Sequence, residues 1–274
     1  MKKGSWLLVF LLPLFLSCGG YEKLLKGTDS NLKYKKAFEY YNKGDYARAG
    51  TLFEQIASFF RGTTKADSVY FFQAMTYFKQ NDFILAGHTF KTFSDTYGNS
   101  PFAEEATYYV GYCFYLTSPR PELDQTDTYQ AIQSLRLFMI RYPNSTRKEQ
   151  CEKMIAEMRD KLVEKSFISA RLYFDLEDYK ASIVALNNSL DEYPESRYRE
   201  DILFLIVKSN YMLALNSIQS KQKERFQSTI DEYYSFITEF PDSKYRKDAD
   251  RIFESSSRYL SSEETTLNEI NIKQ

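Results

Sequence analysis

Three stretches of this chain align without a gap: Phe38 to Ala49, Met75 to Ala86 and Arg171 to Ser182. Each holds an aromatic pair, Tyr40-Tyr41, Tyr77-Phe78 or Tyr173-Phe174, followed after two residues by Gly44-Asp45, Asn81-Asp82 or Glu177-Asp178. A further aromatic comes next, and a small residue three positions beyond it, Ala49, Ala86 or Ser182. This order predicts two helices joined by a tight turn: the rings close the first helix, the Gly/Asn/Glu-Asp step turns the chain, and the small residue lets the second helix approach the first. A pattern that recurs in this way restricts the chain to a repeat architecture, because one such unit cannot bury its own apolar face.

The order of small residue, aromatic pair, turn, small residue and large apolar residue resembles the tetratricopeptide repeat. Ala37, Ala74, Gly111 and Ala170 fill the first small position, and Ala49, Ala86, Ala131 and Ser182 the second. Phe53, Phe90, Leu135 and Leu186 fill the large one. Each unit closes on an aromatic and, three residues on, a hydroxyl: Phe60 and Thr63, Tyr97 and Ser100, Tyr142 and Ser145, Tyr193 and Ser196, Phe240 and Ser243. The closures lie 37, 45, 51 and 47 residues apart, so the later units carry insertions, expected in the loop from Thr117 to Thr128, in a long helix from about Thr146 to Phe174 and in a polar stretch around Asn216 to Lys223. All ten glycines lie at or before Gly111, which removes the usual positive-φ residue of β-hairpins from the rest of the chain. The expected fold is all-α: a tetratricopeptide superhelical solenoid of about five helix-turn-helix repeats plus a C-terminal helix, with a polar tail over 261–274.

Residues 1–17 read as a signal peptide, with Lys2 and Lys3 before the apolar run from Trp6 to Leu16. That run is shorter than the roughly 20 residues a membrane span needs. The Ser17-Cys18 junction resembles a bacterial lipobox, so Cys18 is the expected lipidation site and residues 18–31 a lipidated, leash-like tether. No Asp follows Cys18 and no acidic run follows it. The expected location is therefore the periplasmic face of the outer membrane.

Composition narrows the chemistry. With 36 basic against 37 acidic residues there is no charge surplus for nucleic acid, and a lone His88 excludes a multi-histidine metal site. No phosphate loop or nucleophile elbow is present, so no catalytic residue, metal or cofactor is expected. Cys113 and Cys151 are expected to be buried and reduced.

The 23 Tyr and 22 Phe are the sharper signal, and helix geometry sorts them. At about 100° per residue, Lys33, Ala37 and Tyr40 form one stripe of the first helix, whereas Tyr34, Phe38 and Tyr41 form another. The matching second stripe is Phe71, Met75 and Phe78 in repeat two and Tyr108, Tyr112 and Tyr115 in repeat three. Neighbouring repeats are expected to bury some of these rings, but eight of nine positions being aromatic exceeds what packing requires. Tyrosine also suits a wet peptide-binding surface, so Tyr34, Phe38, Tyr41, Phe71, Phe78, Tyr108, Tyr112 and Tyr115 are the expected lining of a peptide-binding groove. In repeat four the stripe becomes Phe167, Arg171 and Phe174, so the binding half is expected to end with repeat three.

With the lipobox, the repeats, Arg141-Tyr-Pro-Asn-Ser145 and the run Arg159-Asp-Lys-Leu162 through Tyr173, the chain resembles the BamD family of the outer-membrane β-barrel assembly machinery. That resemblance implies a non-catalytic lipoprotein. Its N-terminal repeats, 32–144, would receive unfolded outer-membrane proteins through an aromatic-rich terminal β-strand. Its C-terminal repeats and final helix, 145–260, would dock on the periplasmic domains of the central barrel subunit. The competing expectations are another periplasmic tetratricopeptide scaffold of envelope biogenesis, or a solute- or glycan-binding lipoprotein.

Overall fold

The computed structural model describes the backbone of residues 18–272 and the side chains of residues 20–262. The expected signal peptide over 1–17, the Cys18 side chain and most of the side chains of the expected polar tail lie outside the described residues. Among those described are twelve helices: α1 (Cys18–Lys26), α2 (Ser30–Asn42), α3 (Tyr46–Phe60), α4 (Ala66–Lys79), α5 (Phe83–Thr96), α6 (Ala103–Thr117), α7 (Thr126–Arg141), α8 (Lys148–Asp175), α9 (Tyr179–Glu192), α10 (Arg199–Leu215), α11 (Gln219–Glu239) and α12 (Arg246–Ile272). The helices from α2 to α11 are five helix-turn-helix pairs, and α12 follows them, as the repeat pattern predicts. Two compact units divide the chain: residues 1–119 with 126–158, and residues 120–125 with 159–274.

The aligned turns share one geometry. Gly44, Asn81 and Glu177 take the left-handed conformation, with φ of 79°, 62° and 63°. The following Asp N–H reaches back five residues to a ring-bearing residue's carbonyl, Asp45 to Tyr40, Asp82 to Tyr77 and Asp178 to Tyr173. The left-handed residue's own N–H bonds the next ring residue's carbonyl, at Tyr41, Phe78 and Phe174. These are the paired bonds of a Schellman motif, which satisfies carbonyls that a helix end otherwise leaves free. The same Asp then caps the next helix, accepting from the N–H of Arg48, Leu85 or Ala181.

The closures work differently. In each, the hydroxyl residue's N–H bonds the carbonyl of the aromatic three residues earlier, as from Ser100 to Tyr97 and from Ser145 to Tyr142. The hydroxyl accepts from the N–H two residues on, at Lys65, Phe102, Arg147, Tyr198 and Tyr245. It therefore sits before the helix start and organises the turn that leads into it.

Within the first unit, consecutive helices from α2 to α7 pack side by side. The assigned small and large positions are its core: Ala37, Ala49, Phe53, Ala74, Ala86, Phe90, Ala131 and Leu135 are fully buried. Gly111 is small of necessity, because a Cβ there would lie 2.7 Å from Leu135 Cδ2. In the second unit α9 packs on α10, α10 on α11 and α11 on α12. Ala170 and Leu186 are buried with Ile202 and Ile206, and Phe204, Tyr233 and Phe236 with Ala249.

Three segments differ from the sequence expectation. Residues 18–26 are a helix rather than a leash, and Tyr21, Leu24 and Leu25 pack on the α2–α3 core. The cause is Lys33, which is buried and donates from Nζ to the Leu25 carbonyl at 2.9 Å and to Gln55 Oε1 at 2.7 Å. A cation placed on the last carbonyls of α1 caps that helix and ties it to its neighbours. The stretch from Gln219 to Lys223 belongs to α11, which leaves only 216–218 as a connection, and α12 continues through the polar residues to Ile272.

Candidate functional site

The aromatic residues singled out from helical spacing all lie in the first unit, but they do not share one environment. Phe71 and Tyr108 are only 3 % and 2 % exposed, so neither has a face left for a ligand. Phe102 stacks flat on Phe71 at 4.6 Å, and the Arg147 guanidinium covers Tyr108 at 4.2 Å. The same position relative to the closure hydroxyl supplies a cover in every repeat: Lys65 over Tyr34 at 4.8 Å, Tyr198 on Phe167 at 4.6 Å and Tyr245 on Phe204 at 4.3 Å. The first ring of each stripe therefore seals one repeat to the next.

Tyr34 and Phe38 are half-buried around Phe60, Phe53 and Phe72, with ring centroids 4.9 to 5.4 Å apart, and the Tyr34 hydroxyl meets Ser68 Oγ at 3.3 Å. Tyr41 packs edge-on against Phe72 and Tyr46. Phe78 packs on Tyr109 at 4.7 Å and on Tyr112 at 5.9 Å. Along α6 the rings of Tyr108, Tyr112 and Tyr115 form a stacked column, with centroids 5.5 and 6.0 Å apart and planes within about 22° of parallel. At its open end Tyr115 donates to a carboxylate oxygen of Glu157 in α8.

Phe78, Tyr112 and Tyr115 are thereby brought together, with Tyr41 beside them. Tyr109, which helical spacing did not flag, joins them. It contacts Phe78, Phe90 and Tyr112 and lies near enough to Tyr41 to act on its hydroxyl electrostatically. Burial is the main reason that Tyr41 is pushed up to about 12, with Tyr46, Tyr109 and Glu105 adding to it. Tyr115 reaches about 12 chiefly through its bond to Glu157. These phenols stay protonated over the whole physiological range and act as hydrogen-bond donors. The hydroxyls of Tyr41, Tyr109 and Tyr112 have no hydrogen-bond partner among the described residues, and all three rings are only half-buried. The surface can stack on flat groups and donate hydrogen bonds to carbonyls or carboxylates.

The arrangement supplies no reactive group. His88 is exposed on α5, away from these rings. Cys113 and Cys151 are free and buried, and burial pushes their thiols up to about 12 and about 11. Among the described residues no group of His, Cys, Asp and Glu could hold a metal ion.

The sequence pattern of the family described as YfiO, outer membrane lipoprotein, matches residues 26–226, about three-quarters of the chain. The chain belongs to that family. A relative from Aquifex aeolicus (strain VF5) is described as a putative outer membrane protein assembly factor BamD. It is 24 % identical over 216 residues, which is 78 % of this chain and 70 % of the relative. Among solved structures, the tetratricopeptide domain of P58(IPK) is similar with a TM-score of 0.41 and 13 % identity, over 88 % of this chain and 68 % of that one. The yeast Sti1 TPR2AB domain in complex with an HSP90 peptide has a TM-score of 0.37 and 11 % identity, over 83 % of this chain and 98 % of that one. At those scores neither structure bears on what YfiO-family rings bind here.

Proposed function

We propose that this chain is a non-catalytic subunit of the outer-membrane β-barrel assembly machinery, anchored by acylated Cys18 at the periplasmic face of the outer membrane. Family membership and the described assembly role of the Aquifex relative support the general role. The single observation that carries the client-binding part is the surface of Tyr41, Phe78, Tyr109, Tyr112 and Tyr115, half-buried rings with three hydroxyls that lack a partner among the described residues.

A β-strand from an unfolded outer-membrane protein carries what such a surface takes: flat rings to stack on, and backbone carbonyls or a terminal carboxylate to accept from the phenols. Tyr34 and Phe38 extend the apolar rim toward the N-terminal end, while Phe71 and Tyr108 hold the surface in place from beneath. In the second unit, Leu172, Tyr173 and Leu176 at the end of α8 and Val184 in α9 are 44 to 67 % exposed. They give the C-terminal repeats the apolar surface that docking on the central barrel subunit would cover.

Affinity purification of the full-length protein from its native envelope tests the assignment. Recovery with an outer-membrane barrel protein bearing periplasmic repeats is expected, and its absence from a membrane-extracted preparation would refute it.

A further inference from the structure

The N-terminal helix pair carries a feature that client binding does not use. A cavity of about 550 Å³ opens between α1 and α2. Tyr21, Leu24, Leu32 and Tyr40 give it apolar walls. Lys23, Lys36, Lys43, Asp29 and Glu39 line it too, with Asp29 capping α2 and Glu39 paired with Lys36. Gly20 also lines it, two residues after Cys18. Two residues span at most about 7 Å of chain, so any lipid on Cys18 holds this cavity against the bilayer surface.

Charge is unevenly distributed in the same place. Between Gly20 and Lys43 there are six lysines against three carboxylates, in a chain whose net charge is -1. Lys33 is spent on capping α1, and Lys36 pairs with Glu39 at 2.6 Å. Lys23, Lys26, Lys35 and Lys43 are exposed and make no ion pair among the described residues. The rest of the chain is correspondingly acidic, so the lysine surplus is local to this helix pair.

We infer that the α1–α2 face is a docking surface for anionic phospholipid headgroups, with Lys23, Lys26 and Lys43 reading the phosphates and the Tyr21-Leu24-Leu32-Tyr40 walls taking the adjoining acyl-glycerol region. The inference rests on the proposed acylation of Cys18 for its placement at the membrane. It gives α1 a role that an unstructured leash could not have: the acyl anchor holds the protein at the bilayer, and the lysine face sets which way the repeats point from it. Juxtamembrane lysines act in this way through the surface potential, over about one Debye length.

The test uses the mature-length chain carrying Cys18→Ser, made without acyl groups, in flotation with vesicles of phosphatidylglycerol and phosphatidylethanolamine or of phosphatidylcholine alone. Binding to the anionic vesicles only, weakened by salt and not displaced by millimolar inorganic phosphate, is the expected result. The Lys23→Glu, Lys26→Glu, Lys43→Glu variant should melt as the parent does and bind about tenfold or more weakly. Equal binding to both vesicle types, undiminished binding of the triple variant, or displacement by free phosphate would overturn the inference. The anchor is tested apart from this by fractionating cells that express wild type or Cys18→Ala. Cys18→Ala that still fractionates with membranes as wild type does would refute the acylation, and equal binding to both vesicle types would refute the headgroup surface.

Discussion

The guanidinium carbon of Arg147 lies 4.2 Å above the ring centroid of Tyr108, and an Arg147 Nη2 also meets Glu105 Oε1 at 3.3 Å. Arg147 stands two residues beyond Ser145, whose hydroxyl fixes its backbone N–H. The chain after each closure is thus aimed so that its next side chain covers a ring of the preceding repeat. Here the ring is fully buried and its phenol is pushed up to about 12, with burial outweighing the neighbouring cation.

Removing that cover should loosen the third repeat from the fourth. Arg147→Ala is expected to lower stability by about 1–2 kcal/mol, between the values for an exposed and a desolvated cation–π contact, because the Arg147 side chain is partly exposed. Arg147→Lys should recover only part of it, since the flat stack is lost. Urea denaturation measures both, and a midpoint unchanged in Arg147→Ala would show that the contact contributes nothing.

The three Schellman turns predict opposite effects for one type of substitution. Glu177 holds a φ of 63° with a side chain that disfavours it, whereas Gly44 holds 79° with no atom within 4 Å of where a Cβ would stand. Glu177→Gly should therefore stabilise, and Gly44→Ala destabilise, each by about 1 kcal/mol. Thermal melts of the two variants should move in opposite directions; movement in the same direction would mean that the turn's side chains, and not its backbone, decide its stability.

Lys33 makes a local prediction. Lys33→Ala leaves the Leu25 carbonyl without its donor, and α1 should undock while the repeats stay folded. Amide exchange of residues 20–26 should accelerate by about tenfold or more, a loss typical of a charged hydrogen bond. Unchanged protection there would show that Tyr21, Leu24 and Leu25 suffice to hold the helix.

Cys113 and Cys151 add to the loss of stability at alkaline pH. Their folded thiols are raised to about 12 and about 11, above the ordinary value of about 8.5. Above that ordinary value the unfolded chain releases protons that the folded one keeps, so stability falls as pH rises. No change from this source is expected between pH 6 and 8, and a decline is expected from about pH 9 upward that Cys113→Ala makes shallower. Stability that rises between pH 9 and 11 would contradict the burial of these thiols.

How far the fold could be read from sequence depends on the distance over which each rule acts. The Gly/Asn/Glu-Asp turns and the Ser or Thr closures involve residues within five of one another, and the backbone bonds at Asp45, Asp82 and Asp178 are what that local pattern implies. Ala37, Ala49 and Gly111 followed from repeat position alone. The helix at Cys18–Lys26 was missed because a lysine-rich stretch masks the short stripe of Tyr21, Leu24 and Leu25, and its cap comes from Lys33, beyond the next turn. The covers were missed because they link residues 31 apart, as Phe71 and Phe102, and insertions stretch this to 39 between Tyr108 and Arg147. Helical spacing placed Tyr108, Tyr112 and Tyr115 correctly on one line of α6, but it carries no information on which of them the next repeat would bury.

The most direct test of the client-binding surface removes hydroxyls and keeps every ring. Tyr41→Phe with Tyr112→Phe deletes two of the three phenols that lack partners and leaves the ring contacts with Phe72 and Phe78 intact. Affinity for a fluorescent peptide from the C-terminal strand of an outer-membrane β-barrel protein is the quantity to measure, beside the melting temperature. At about 1 kcal/mol per hydrogen bond, the double variant is predicted to bind about tenfold or more weakly while melting as the wild type does. Equal affinity of the two proteins for that peptide would contradict the account.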